Sequence, residues 1–247
     1  MIGPAMGSAI APTIVVLVGI ALGWRYSFLV LSLMSALIGF ALIFTIRKEI
    51  RREVKQVEKP KFSIPRNVIG LSFMSFITLL AFFGMLTFFP DFLVNEGRNI
   101  KEASFYFSLL SVVGIFGSMV GGIVYDKVGG KSLFTVLFFN ALLSFLLVKT
   151  PCLLLVLLLG LFFYSVNPII IAYASDYATS RNLSTVIGFV NMISIFGATI
   201  GPYFMGSLID RAGYKNAFYS IPAMYLLSLL VLILEEHLKF SQSLNNE

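Results

Sequence analysis

Residues 117–131 read GSMVGGIVYDKVGGK, and residues 201–215 read GPYFMGSLIDRAGYK. Aligned without a gap, Gly117, Gly122, Asp126, Lys127, Gly129 and Lys131 fall on Gly201, Gly206, Asp210, Arg211, Gly213 and Lys215. Self-similarity at a fixed offset marks a duplicated structural unit. What that unit is depends on the chain between the copies, which are 84 residues apart.

That chain is strongly apolar. Of the 247 residues 58% are hydrophobic and 12% charged, with mean hydropathy +0.92, whereas a soluble domain is about half apolar and about a quarter charged. Too little polar surface remains to coat a water-soluble body, so the bilayer is the expected solvent. A hydrocarbon core about 30 Å thick takes roughly 20 apolar residues in a helix. Eight such runs occur, over 3–22, 25–46, 66–90, 102–125, 132–149, 151–174, 184–209 and 216–234. The third is expected to end at Pro90, with 90–101 as a loop. Lipid offers no partner to free backbone groups, and no alternating strand pattern occurs, so the spans are helices. The fold class is all-α: a polytopic membrane helix bundle.

The offset of 84 carries the chain through three spans. Three is odd, so the second copy is expected on the opposite membrane face. Inverted three-helix repeats of this kind are typical of secondary transporters. A fainter echo runs at offset 190, where Gly23-Trp24-Arg25-Tyr26-Ser27-Phe28 matches Gly213-Tyr214-Lys215-Asn216-Ala217-Phe218. Six spans lie between these copies, so both face one side, as in a parallel repeat of six-helix halves.

The net charge of +6 is a topology signal before it is a partner signal. Eight of the 18 basic residues lie between Arg47 and Arg66. With that gap on the cytoplasmic side, twelve basic residues fall inside and six outside, which puts both termini in the cytoplasm of a multi-pass cell-membrane protein. No nucleic-acid partner is expected. Within the gap, Ile46, Ile50, Val54 and Val57 recur at helical spacing, so 47–59 is either a short interfacial helix or a solvated basic linker. One cysteine, Cys152, excludes an internal disulfide, and no metal-ligand spacing or cofactor motif is present. Met1 is followed at once by Ile2, Gly3 and Pro4, so no secretory leader is expected.

The stretch Gly122 to Lys131 resembles the loop signature G-x-x-x-D-[RK]-x-G-[RK]-[RK] of the major facilitator superfamily, with Gly130 departing where that family usually has a base. The helix count, the basic linker and both repeats extend the resemblance to the whole chain. It implies residues 1–46 as the last two helices of an incomplete N-terminal half, 47–65 as a cytoplasmic linker, 66–234 as a six-helix C-terminal half, and 235–247 as a cytoplasmic tail. On this register the chain is N-terminally truncated: a fragment gene, a late start codon, or one piece of a split protein. A separate chain supplying the four missing helices would then be a partner. The resemblance also implies a conformational gate made by Gly122, Asp126, Lys127, Gly129 and Lys131, with Gly206, Asp210, Arg211, Gly213 and Lys215 as its repeat counterpart. Gly122 would allow close helix approach, Gly129 a tight turn, and Asp126 would face the positive N-terminal end of the first span near Gly3. Asp126 could instead cap a turn at headgroup level.

The spans hold almost no ionisable residue away from their ends, so no proton-relay carboxylate is expected in them. Uncharged candidates for lining a solute path are Thr78, Thr87, Tyr164, Asn167, Asn191 and Ser194, with Asn167-Pro168 expected to interrupt the sixth span. Hydrogen bonding between helices is the other reading for each of them. Gly114, Gly117 and Gly121, with Gly197 and Gly201, read as stripes for tight helix contact, and Asn140 as packing. Gly129-Gly130-Lys131-Ser132 imitates a phosphate-binding loop, but that pattern needs glycine where Tyr125 stands, which argues against an ATP-driven pump. No nucleophile–base pair points to an enzyme. The leading expectation is a secondary transporter of a small solute. A non-transporting membrane protein, either a remnant or an assembly partner, is the alternative.

Overall fold

The computed structural model describes residues 14–15, 18–19, 21–46, 63–65 and 67–244. Seven long helices make up almost all of them: α1 (Trp24–Ile46), α2 (Asn67–Asn95), α3 (Ile100–Val128), α4 (Lys131–Lys149), α5 (Leu153–Ser175), α6 (Leu183–Phe218) and α7 (Ser220–Leu244). Each is long and apolar enough to cross a membrane. Among the described residues there is no strand. The first expected span, 3–22, lies largely outside the described residues, as does the expected interfacial helix at 47–59.

Several boundaries move. α2 does not end at Pro90 but runs through it to Asn95, so the loop shrinks from 90–101 to the four residues before Ile100. A proline forfeits one helical hydrogen bond, and a helix packed in a bundle carries that loss. The same holds at Pro168, which lies inside α5 without interrupting it. α6 passes the expected end at 209 and breaks at Gly213 (φ 79°, ψ 166°). α7 passes the expected end at 234, and Glu235 is a buried part of the helix where a free tail was expected.

The packing carries the inversion that the repeat implies. α2 against α6 and α3 against α5 are the most extensive pairs, followed by α2–α7, then by α4–α5 and α4–α7. Exchanging α2 with α5, α3 with α6 and α4 with α7 maps this order onto itself. In both leading pairs the helices run parallel. Gly117 and Gly121 meet Leu161 and Ser165, and Gly197 and Gly201 meet Phe76 and Leu80. A Cβ on Gly117 or Gly201 would collide with the backbone oxygen of Leu161 or Leu80, so at these positions only glycine lets the backbones touch. Between α2 and α5 the core is aromatic: Phe82 stacks on Phe163 at 4.1 Å and meets Tyr164 edge-on at 5.4 Å.

α1 stands apart from this body. Only 6% of its Trp24–Leu42 stretch is buried. Ser27 on α1 is buried and donates to the Val15 carbonyl at 3.1 Å.

Candidate functional site

The two repeat loops are the corners where α3 turns into α4 and α6 into α7. Gly129 closes the first with φ 68° and ψ −150°, and Gly213 closes the second with φ 79° and ψ 166°. Both backbones lie in the region where a side chain is strained, which is why glycine recurs at that step of the repeat. Gly23, its counterpart at offset 190, also has a positive φ, 98°.

The contacts of each corner show that the two stand at opposite ends of the bundle. Near the first, the Tyr125 hydroxyl of α3 donates to Asp176 just past α5. Tyr173 of α5 donates to Glu236 of α7, and the Tyr177 hydroxyl donates to that of Tyr173 at 3.1 Å. Asn182 accepts from the Thr179 N–H at 2.7 Å and donates to the Ser63 carbonyl at 3.1 Å, which ties the start of α6 to the approach to α2. At the other end, Lys215 pairs with Glu96 past the end of α2 at 3.8 Å. There Arg98 donates to the Pro151 carbonyl at 3.2 Å, joining the α2–α3 loop to the α4–α5 turn. Each corner is therefore held to an acidic residue that follows the partner helix of the opposite repeat.

The charged pairs themselves are left open. Asp126, Lys127, Lys131, Asp210 and Arg211 are all exposed, and their side chains form no hydrogen bond or ion pair with a described residue. The expected partner of Asp126 near Gly3 lies outside the described residues. Gly122 does not serve the close approach expected of it inside this half: nothing lies within 4 Å of where its Cβ would stand. Gly114, Gly117 and Gly121 make that approach instead, and the open face at Gly122 points away from the bundle. Gly206 sits under Phe88, whose ring would come within 3.3 Å of a Cβ there. Tyr203, Gly206, Ser207, Asp210 and Arg211 line a shallow cleft at the second corner.

The departure at Gly130 has a local cause. A Cβ there would meet the ring of Tyr173 at 2.7 Å, and that ring is fixed by its bond to Glu236. Sequence reasoning missed these tyrosine–carboxylate ties. The sequence offered only the acids themselves, Asp176, Glu235 and Glu236, near the ends of apolar spans. Glu235 is buried beside Gly70 with no hydrogen-bond partner among the described residues.

The six path candidates separate by placement. Thr78 is fully buried and donates to the Met74 carbonyl at 2.9 Å. Ser194 is buried and joins α6 to α2 through the Ser75 hydroxyl at 2.7 Å. Tyr164 is buried, its hydroxyl 3.1 Å from that of Ser111, joining α5 to α3. Thr87 is exposed, with its hydroxyl on the Phe83 carbonyl at 2.8 Å. Asn191 is exposed on α6, and Asn167 is half-buried on α5. Asn140 bridges α4 and α5 by donating to the Val136 and Phe162 carbonyls. No group of three potential metal ligands occurs among the described residues.

The family model of the Major Facilitator Superfamily matches residues 1–151 and 136–245. The hexuronate transporter of Bacillus subtilis is 29% identical over 248 residues, covering 87% of this chain and 58% of that protein. A probable sulfoacetate transporter of Cupriavidus necator is 23% identical over 256 residues, covering 89% of this chain and 58% of its own length. The glucose-6-phosphate exchanger of Danio rerio is 29% identical over 189 residues, covering 67% of this chain and 37% of that protein. In fold the chain is similar to the crystal structure of a bacterial homologue of the human lysosomal transporter Spinster, captured inward-facing and occupied. The TM-score is 0.67 at 17% identity, over 87% of this chain and 58% of that one. The chain thus covers little more than half the length of the Bacillus and Cupriavidus relatives, and less of the Danio one.

Proposed function

This chain belongs to the major facilitator superfamily, and from that premise we propose that it is the C-terminal part of a secondary transporter of a small organic anion, working by alternating access and without enzymatic chemistry. The observation that carries the reading is the pair of inverted corners: the same glycine turn and acid–base dyad, closing opposite ends of one six-helix body. A body with that symmetry can rock between two equivalent poses about a site near mid-membrane. The anionic solute class rests on the relatives, whose names specify a hexuronate, a sulfoacetate and a sugar phosphate.

An organic anion needs a counter-charge, and the spans from α2 to α7 carry no lysine or arginine away from their ends. We infer that the countercharge comes from helices outside this half, whether encoded with it or supplied by a separate chain. This half contributes neutral donors. Asn191, Thr87 and Asn167 would face the solute, while Thr78, Tyr164 and Ser194 hold the wall together. Asp126, Lys127 and Lys131 would brace the two halves on the cytoplasmic side of the cell membrane, with both termini on that side. Asp210 and Arg211 would do so on the other.

The test is uptake of labelled glucuronate, sugar phosphate and sulfoacetate by sealed vesicles holding the longest reading frame that includes this chain. Uptake of one of them, lowered by Asp126→Asn at unchanged insertion, is expected. Uptake indifferent to Asp126→Asn would reject the gate. The bare flank of α1 favours a second reading, a chain that only assembles with another membrane protein. No uptake of any of the three solutes would leave that reading standing.

A further inference from the structure

The flank made by α4 and α7 carries a groove of about 300 Å³, walled by Phe138, Ala141, Leu142 and Phe145 of α4 and by Pro222 and Leu226 of α7. The α4 residues follow the i, i+3, i+4, i+7 spacing of one helix stripe. One turn further along that stripe is Lys149, whose Nζ stands 4.7 Å from the centre of the Phe145 ring. One turn before Pro222 is Tyr219, whose ring centre lies 5.9 Å from that of Phe145. The trough therefore runs from Phe138 to Phe145, about 10 Å of helix rise, and opens at a mouth carrying an ammonium and a phenol.

Neither mouth group is spent inside the protein. Lys149 forms no ion pair, and the Tyr219 hydroxyl no hydrogen bond, with a described residue. Two of the acids at this end are taken up elsewhere, Glu96 by Lys215 and Glu102 by Arg98, and the exposed Asp91 and Asp210 form no ion pair with Lys149. A lysine at the end of a membrane helix reaches toward the headgroup layer, and a tyrosine settles there. An occupant must be apolar along its length and anionic at one end, lying parallel to the helices.

We propose that this groove binds an anionic phospholipid, one acyl chain lying between α4 and α7 and the phosphate on Lys149. A single lysine near anionic lipid favours it over a zwitterionic one by roughly fivefold.

The test is native mass spectrometry of the full chain exchanged into detergent with equal phosphatidylglycerol and phosphatidylethanolamine. The wild-type chain should retain phosphatidylglycerol in excess by about fivefold. Lys149→Gln should bring the ratio near one, and Lys101→Gln, which removes another exposed cation at the same end, should leave it unchanged. Leu142→Trp should remove bound lipid of both kinds by filling the trough. An unchanged ratio in Lys149→Gln would overturn the proposal. So would an equal fall in Lys101→Gln, which would mean general surface charge only. Loss of a dimer in Leu142→Trp, with lipid retention intact, would assign the groove to a second copy and overturn it too.

Discussion

The α3–α4 corner and the α6–α7 corner share a glycine twist and a dyad of acid and base, yet they are fastened differently. At the first, neutral phenols of buried tyrosines hold carboxylates, Tyr125 on Asp176 and Tyr173 on Glu236, and the Tyr173 ring closes over Gly130. At the second, the tie is an ion pair, Lys215 with Glu96, whose lysine side chain is 51% exposed. The residue matching Gly130 there is Tyr214, itself partly buried against the core, so the second turn has no glycine under a ring at that step. A solvated ion pair is worth little and weakens with salt. A hydrogen bond from a buried group to a charge is worth more. Duplication thus preserved the shape of the corner while its fastening diverged: one end of the body is firmly latched and the other loosely.

The largest expected break in that comparison comes from giving both corners the same base. Gly130→Arg would drive a side chain into Tyr173, and overpacking of this kind costs about 1–3 kcal/mol. Its unfolding midpoint in detergent should fall by several degrees, and by more than in Tyr214→Arg at the matching place, which loses only the contacts of a partly buried ring. Equal shifts would mean that the ring contact at Gly130 is not what separates the corners.

Removing the ties comes next. Tyr125→Phe should cost about 1–2 kcal/mol, read as a lower unfolding midpoint that is insensitive to salt. Lys215→Met should cost about 0–1 kcal/mol, and that small loss should vanish as salt is raised. The reverse salt dependence would invert the assignment of firm and loose ends. The smallest effect sharpens what the corners share. Gly129→Ala and Gly213→Ala should each cost about 1 kcal/mol, because both place a Cβ on a left-handed backbone. A loss at only one of them would contradict the equivalence of the two turns.

Much of this body was legible before any coordinates. The spans follow from apolar length, and the inversion follows from Gly129 and Gly213 recurring an odd number of helices apart. The paired glycine stripes were legible because small residues recur where helices must touch, although Gly122 belongs to no such contact. The helix end expected at Pro90 and the interruption expected at Pro168 did not occur, because a proline costs one hydrogen bond and bundle packing outweighs it. The path candidates could not be sorted, since a helix that is apolar on every side does not declare which face is inward. Thr78 and Ser194 turned into the core, whereas Thr87 and Asn191 stayed at the surface. The tyrosine–carboxylate ties span 51 and 63 residues, and no local pattern links such distant partners.

The inversion itself is tested most directly by accessibility of the two corners. Single cysteines would replace Lys127 and Arg211 in a chain whose exposed native thiol is removed by Cys152→Ser, and intact cells would be treated with a membrane-impermeant maleimide. One corner should react at once and the other only after the membrane is opened. Reaction of both from the same side would contradict an inverted pair, and the transporter reading would lose the observation that carries it.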